Sequence, residues 1–299
     1  MSFSSNVKAE LCRLPLTRRP EAAAEAYGVL LYCNTFSPDL IRVLTESADF
    51  SERLPKLFRK AFGFGFDEQT EPDAGGKRQL TISDEQKLLR IFQTYGLSPA
   101  ETVTLHLNFG VLEEDAERLA FFRGAFLAGG SVTDPTKRYH LELTSSHYKA
   151  SREAAALLQE VGFSPKLTER SGNSILYFKQ SDYIEDFLTA VGAGVCAMEV
   201  MEAKVEKDLR NGVNRRVNCE TANLTKAVDA SFAQMAAIRR LKDAGVLERL
   251  SPKLRDTALM RLENPEATLS ELAELMQPPV SKSAVNHRLR KLSELAENL

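Results

Sequence analysis

Three things are scarce in these 299 residues, and each shortage removes a class of protein. Only four cysteines occur, Cys12, Cys33, Cys196 and Cys219, with no C-x-x-C pair and no histidine at ligand spacing. That argues against a disulfide framework or a zinc module and predicts reduced, packed thiols. No apolar run reaches transmembrane length, and no basic-plus-apolar leader opens the chain. The expectation is a cytoplasmic protein that does not enter a membrane. Charge of one sign is also lacking: the formal net charge is −2, so the chain as a whole has no basic character.

What is present is ordinary for globular domains, with 43% hydrophobic and 27% charged residues and room for two or three cores. The charge is unevenly divided. From Ala203 onward seventeen basic residues face thirteen acidic ones, a balance of +4, which leaves −6 for the rest. Any affinity for nucleic acid belongs to the C-terminal third.

There the stretch Ser281 to Leu292 reads as a helix capped by Ser281, with Val285, Leu289 and Leu292 on one face. The other face carries Lys282, Ser283, Asn286, His287, Arg290 and Lys291, and no acid falls between Ser281 and Lys291. Upstream, Thr268 to Met276 reads as a short amphipathic helix opened by a Thr268/Glu271 capping box. Gln277 to Val280 breaks the two. A short helix, a tight turn and a basic helix match the helix-turn-helix pattern. The basic helix has Lys282 and Ala284 where an acid would stabilise its positive end, at a cost of a few tenths of a kcal/mol, roughly. A DNA phosphate would supply the missing charge. On this reading Lys282, Ser283, Asn286 and His287 are base readers, Arg290 and Lys291 meet phosphates, and Arg288 packs across the helix or reaches the backbone. A solvated basic face is the plainer alternative.

The first two-thirds repeat themselves. Gly28 and Gly124 lie 96 residues apart inside two helical patterns, and Gly96 and Gly192 repeat that spacing after two later ones. Leu88, Ile91, Phe92 and Tyr95 match Ile184, Phe187, Leu188 and Val191 at the same offset. The inner pair, Leu54, Leu57, Phe58, Ala61 and Ala154, Leu157, Leu158, Val161, is offset by 100. These offsets point to an internal duplication. Each copy reads helix, strands, helix, strands, helix, an α+β unit.

The duplicated opening helices end in Tyr27-Gly28-Val29-Leu30-Leu31-Tyr32-Cys33-Asn34 and Arg123-Gly124-Ala125-Phe126-Leu127-Ala128-Gly129-Gly130. Glycine inside an apolar helix costs about 1 kcal/mol relative to alanine, so it needs a packing reason. Close pairing of the two helices would supply it. Here the chain resembles the LAGLIDADG homing-endonuclease fold, over roughly Glu21 to Gly192. The resemblance implies two such helices paired above a saddle of strands, with metal-binding acids at positions that correspond to Cys33 and Gly129. Neither residue suits a magnesium site built from oxygen ligands. Asp39 and Asp134 lie beyond the helix ends as turn residues. The expectation is a retained fold, lost nuclease chemistry, no metal and no cofactor.

Between the two regions, Asn211 to Asn223 holds four asparagines, a poor helix former. Asn211, Asn214 and Asn218 share a helical face with Arg215 beside them. Contact with the DNA backbone or between domains, and capping or hinge chemistry around Gly212, are both open readings. A degenerate LAGLIDADG pair followed by a helix-turn-helix is similar to the WhiA family of bacterial sporulation regulators. The runs that carry this resemblance are Ser2-Phe3-Ser4-Ser5 with Val7-Lys8, Gly124 to Ser131, Asn214-Arg215-Arg216-Val217-Asn218-Cys219-Glu220-Thr221-Ala222-Asn223, and Ser281 to Lys291. It implies a sequence-specific, non-enzymatic, nucleoid-associated DNA-binding regulator tied to transcription, cell division and chromosome segregation, and to sporulation where the host sporulates. The expected divisions are 1–112, 113–202 and 203–299, with Asn214, Arg215 and Asn218 joining the C-terminal basic residues on double-stranded DNA. The competing readings are a nuclease with a displaced metal site and a scaffold whose N-terminal domain binds a protein partner, which the acidic balance there would suit.

Overall fold

The computed structural model describes residues 2–98 and 105–299. Its contacts divide the chain into two units, Met1–Asp208 and Leu209–Leu299. The first opens with α1 (Phe3–Cys12), then α2 (Arg19–Tyr32), β1 (Thr35–Phe36), β2 (Ile41–Thr45), α3 (Ala48–Phe62), β3 (Glu68–Gln69), β4 (Arg78–Ile82) and α4 (Glu85–Thr94). The order then recurs as α5 (Asp115–Gly129), β5 (Gly130–Val132), β6 (Leu141–Ser145), α6 (Tyr148–Glu160), β7 (Lys166–Arg170), β8 (Asn173–Phe178) and α7 (Ser181–Val191).

Each copy builds its own four-stranded antiparallel sheet, in the orders β1-β2-β4-β3 and β5-β6-β8-β7. Ile41 pairs with Ile82 in one sheet and Leu141 with Phe178 in the other. Alternation sends Ile41 and Val43, and likewise Leu141 and Leu143, into the core. The drift from 96 to 100 has a local cause. Four residues join β1 to β2, whereas eight join β5 to β6. The second hairpin gives them back, because β7 and β8 turn over Ser171 and Gly172 alone, both at positive φ. By β8 the offset is 96 again.

Helices α2 and α5 lie at the centre of the core, almost wholly buried on their apolar residues. Their contact is backbone on backbone. A Cβ on Gly28 would collide with the carbonyl oxygen of Phe121 and sit 2.7 Å from the nitrogen of Ala125. A Cβ on Gly124 would collide with the carbonyl oxygen of Glu25 and sit 3.0 Å from the nitrogen of Val29. Positions 25 and 121, like 28 and 124, are 96 apart, so the two clashes are one clash seen twice across a pseudo-twofold axis. At the start of the pair Arg18 Nη1 meets Glu114 Oε2 at 3.2 Å, again at equivalent positions.

One buried polar cluster sits against this pair. The Glu25 carboxylate takes a forked pair of bonds from Arg53 of α3, at 2.6 and 2.9 Å, and a third contact from Arg123 at 3.3 Å. Arg53 also donates to the carbonyls of Cys12 and Leu14, at 3.1 and 2.6 Å, and Arg123 donates to the Val191 carbonyl at 2.8 Å. Three ions thus tie α2, α3 and α5 to the chain after α1 and to the end of α7. A buried charge without such partners would be severely destabilising.

The helix α8 (Gly194–Asp243) begins in the first unit, where both Glu10 carboxylate oxygens accept its Val195 and Cys196 N–H groups at 2.7 and 3.0 Å. It continues without interruption through Gly212 and the asparagine run into the second unit. This corrects the hinge reading: the asparagines cost only tenths of a kcal/mol each, roughly, and long helical flanks carry the pattern across them. Positions 208–230 are exposed on every side. Cys219 is among them, so one of the four thiols expected to be packed is open to solvent, and all four are free. Among the described residues, no helix is long and apolar enough to cross a membrane.

The second unit closes with α9 (Pro252–Glu263), α10 (Leu269–Leu275) and α11 (Lys282–Glu297). Its core gathers Ile238 and Leu241 from α8, Ala258 from α9, Leu272 and Ala273 from α10, and Val285, Leu289 and Leu292 from α11.

Candidate DNA-binding surface

The surface starts from two helix caps. Thr268 Oγ1 accepts the Glu271 N–H at 3.3 Å while the Glu271 carboxylate accepts the Thr268 N–H at 2.7 Å, the reciprocal box that starts α10. Ser281 Oγ accepts the Ala284 N–H at 3.2 Å and starts α11. Between them the Val280 N–H returns to the Ala273 carbonyl at 3.0 Å and pins the turn. With Val285, Leu289 and Leu292 buried, the rest of α11 has no choice of face.

That face is Lys282, Ser283, Asn286, His287, Arg290 and Lys291, all exposed. The first turn of α11 carries no acid, so its open N–H groups and positive dipole end stand beside the lysine without a counter-charge. Arg290 reaches forward to Glu294 at 3.1 Å, an exposed pair of small worth that an incoming phosphate can displace. Arg288 departs from the group. It is half-buried and its Nη1 donates to Thr257 Oγ1 of α9 at 3.3 Å. Asn214 and Asn218 lie about one helical turn apart along the exposed stretch of α8, with Arg215 next to Asn214.

Sequence reasoning missed Arg261. It is buried beneath the turn between α9 and α10, where Nη1 donates to the Ala267 carbonyl at 2.7 Å, and burial holds its pKa below the usual guanidinium range. No pattern flags it, because an arginine at that spacing reads equally well as surface.

The paired helix ends carry a different chemistry from a nuclease centre. Cys33 is buried, donates through Sγ to the carbonyls of Leu30 and Thr35 at 3.2 Å, and is pushed up to about 12 by burial, which keeps it a thiol. At Gly129 a Cβ would run into the Thr144 carbonyl oxygen and sit 3.0 Å from that of Tyr32. A carboxylate has no space at that position. Asp134 is engaged locally, accepting from the Thr136 N–H and hydroxyl at 2.9 and 2.6 Å.

Comparison with known proteins covers both units. Residues 118–210 match the family model described as the WhiA LAGLIDADG-like domain, and residues 213–296 match that of the WhiA C-terminal HTH domain. A protein of Ruminiclostridium cellulolyticum named "Probable cell division protein WhiA" is 36% identical, the match covering 100% of this chain and 98% of that one. The protein of the same name from Clostridium novyi is 34% identical over the same shares of both chains. Among solved structures, full-length DUF199/WhiA from Thermatoga maritima superposes with a TM-score of 0.61 at 25% identity, covering 100% of this chain and 99% of that one.

Proposed function

Since the chain belongs to the WhiA family, we propose that it is a sequence-specific regulator that reads double-stranded DNA through α11 and has no enzymatic activity. The observation that carries this reading is the exposed, acid-free basic face of α11 on a three-helix support. Lys282, Ser283, Asn286 and His287 enter the major groove, where asparagine pairs bidentately with adenine and lysine approaches guanine. Arg290 and Lys291 hold phosphates, Arg288 steadies α11 against α9, and Asn214, Arg215 and Asn218 of α8 add backbone contacts. The divisions at 112 and 202 mark the two repeats and the start of the DNA-reading part. The names of the relatives support a role in cell division. Control of transcription, a link to chromosome segregation, sporulation in hosts that sporulate, and a cytoplasmic, nucleoid-associated location complete the proposal. A scaffold role, with a protein partner on the N-terminal unit, draws its support from the −6 balance there.

The experiment is footprinting and titration of the full chain on its own genome, followed by two variants. Asn286→Ala is expected to cost about 1–3 kcal/mol on the best site and to relax preference at one or two base pairs. Arg290→Ala is expected to weaken specific and non-specific sites alike and to make the salt slope shallower by about one. An unchanged preferred sequence for Asn286→Ala, with altered base preference for Arg290→Ala, would reverse the placement of the helix.

A further inference from the structure

The run Ser2-Phe3-Ser4-Ser5 with Val7-Lys8 lies outside the DNA-reading helix proposed above, and the fold gives it a distinct place. It forms the start of α1, which borders a cleft of about 670 Å³ at the ends of the paired helices, beside Asn34 and Ala128. Ser4 Oγ accepts the Val132 N–H at 3.4 Å, which fixes this helix start against the strand that follows α5. Ser2 Oγ caps the Ser5 N–H at 3.2 Å, and the first turn of α1 contains no acid. Among the described residues no acceptor meets the N–H groups of Phe3 and Ser4.

Lys8 lies on the same helical face as Ser4 and Ser5 and lines the same cleft. Its side chain is half-buried, with the ammonium 6.0 Å from the Phe126 ring centroid. No carboxylate or carbonyl of the described residues pairs with it. Burial without a counter-charge pushes it down to about 8. Two acids and a second lysine, Lys77, share the wall. Glu46 faces Lys77 at 3.9 Å, and Asp49 sits in the first turn of α3, whose positive end it already offsets. The uncompensated positive pole of the cleft is therefore the α1 start together with Lys8.

We propose that this cleft is a ligand site for the phosphate group of a small phosphorylated molecule, held by Lys8, the serine hydroxyls and the open N–H groups of α1. Helix starts take phosphate readily, and the volume suits a nucleotide or sugar phosphate better than a bare ion. The apolar walls at Leu44 and Leu127 would receive the organic part.

The test uses the full chain with three probes at constant ionic strength: inorganic phosphate, a nucleoside monophosphate, and a 20-base-pair duplex. Calorimetry and thermal melting should show saturable binding of the monophosphate, tighter than inorganic phosphate, with at least a tenfold loss in Lys8→Met. Ser5→Glu separates binding from folding. An acid in the first turn should raise the melting temperature of the free protein, yet abolish the shift that ligand produces. No saturation by the two small probes, or equal affinity in wild type and both variants, would overturn the site. If the small probes fail while Lys8→Met weakens duplex binding, the cleft serves a DNA phosphate and the small-molecule proposal is wrong.

Discussion

At the scale of single residues the molecule depends on two glycines and one buried carboxylate. Gly28→Ala or Gly124→Ala puts a methyl into a carbonyl oxygen of the facing backbone, which cannot rotate aside as a side chain would. Each is expected to cost about 3 kcal/mol or more, read from urea unfolding midpoints, and unchanged midpoints would refute the close pair. Arg53→Met leaves Glu25 with only the weaker Arg123 contact and is expected to cost about 3–5 kcal/mol in the same measurement. A double replacement of Glu25 and Arg53 by apolar residues should recover part of that loss. The glycines were legible from sequence because glycine in an apolar helix demands a reason. Glu25 was not, because a glutamate in an alanine-rich run looks like any solvated helix position. The thiols divide by burial. Cys33 and Cys196 are buried and raised to about 12, whereas Cys219 is exposed on α8. Alkylation of the native protein at pH 8, followed by peptide mass spectrometry, should find Cys219 modified well before the others.

At the scale of elements α8 and α11 teach opposite lessons. The cap and buried stripe of α11 could be read directly, since Ser281, Val285, Leu289 and Leu292 agree on one helix and one inward face. The partners of Arg288 and Arg290 could not, because they depend on where α9 lies and on a rotamer. For α8 composition left an interruption around Gly212 as one of two open readings, and the helix runs through it, as propensity is a weak prior against long flanking helices. Gly212 has nothing within 4 Å of a Cβ built upon it. Gly212→Ala should therefore stabilise the surrounding turns by about 1 kcal/mol, seen as slower amide hydrogen exchange across 208–216. Its DNA affinity should be unchanged. A substantial loss of affinity would mean that Gly212 bends in use.

At the scale of the whole molecule the order of elements, the two copies and the terminal helix-turn-helix were all visible in spacing, while the exchange of loop lengths between copies was hidden until the hairpins were placed. The charge division makes the units functionally separable. A fragment ending at Asp208 should bind duplex DNA weakly or not at all at physiological salt, and tight, salt-sensitive binding would show that its strands still form a DNA platform. The axis between the copies has a longer-range consequence. Arg18 faces Glu114, and the carbonyls of Glu25 and Phe121 occupy matching places while their side chains do not match. Two identical halves would set arginine against arginine, or bury a second Glu25 carboxylate where an aromatic ring now packs. Self-pairing has thus been given up: each half is now a lock cut for the other. If the chain is opened after Ser98 and the pieces are made separately, neither should form a homodimer, and mixing should restore a one-to-one complex by size-exclusion chromatography.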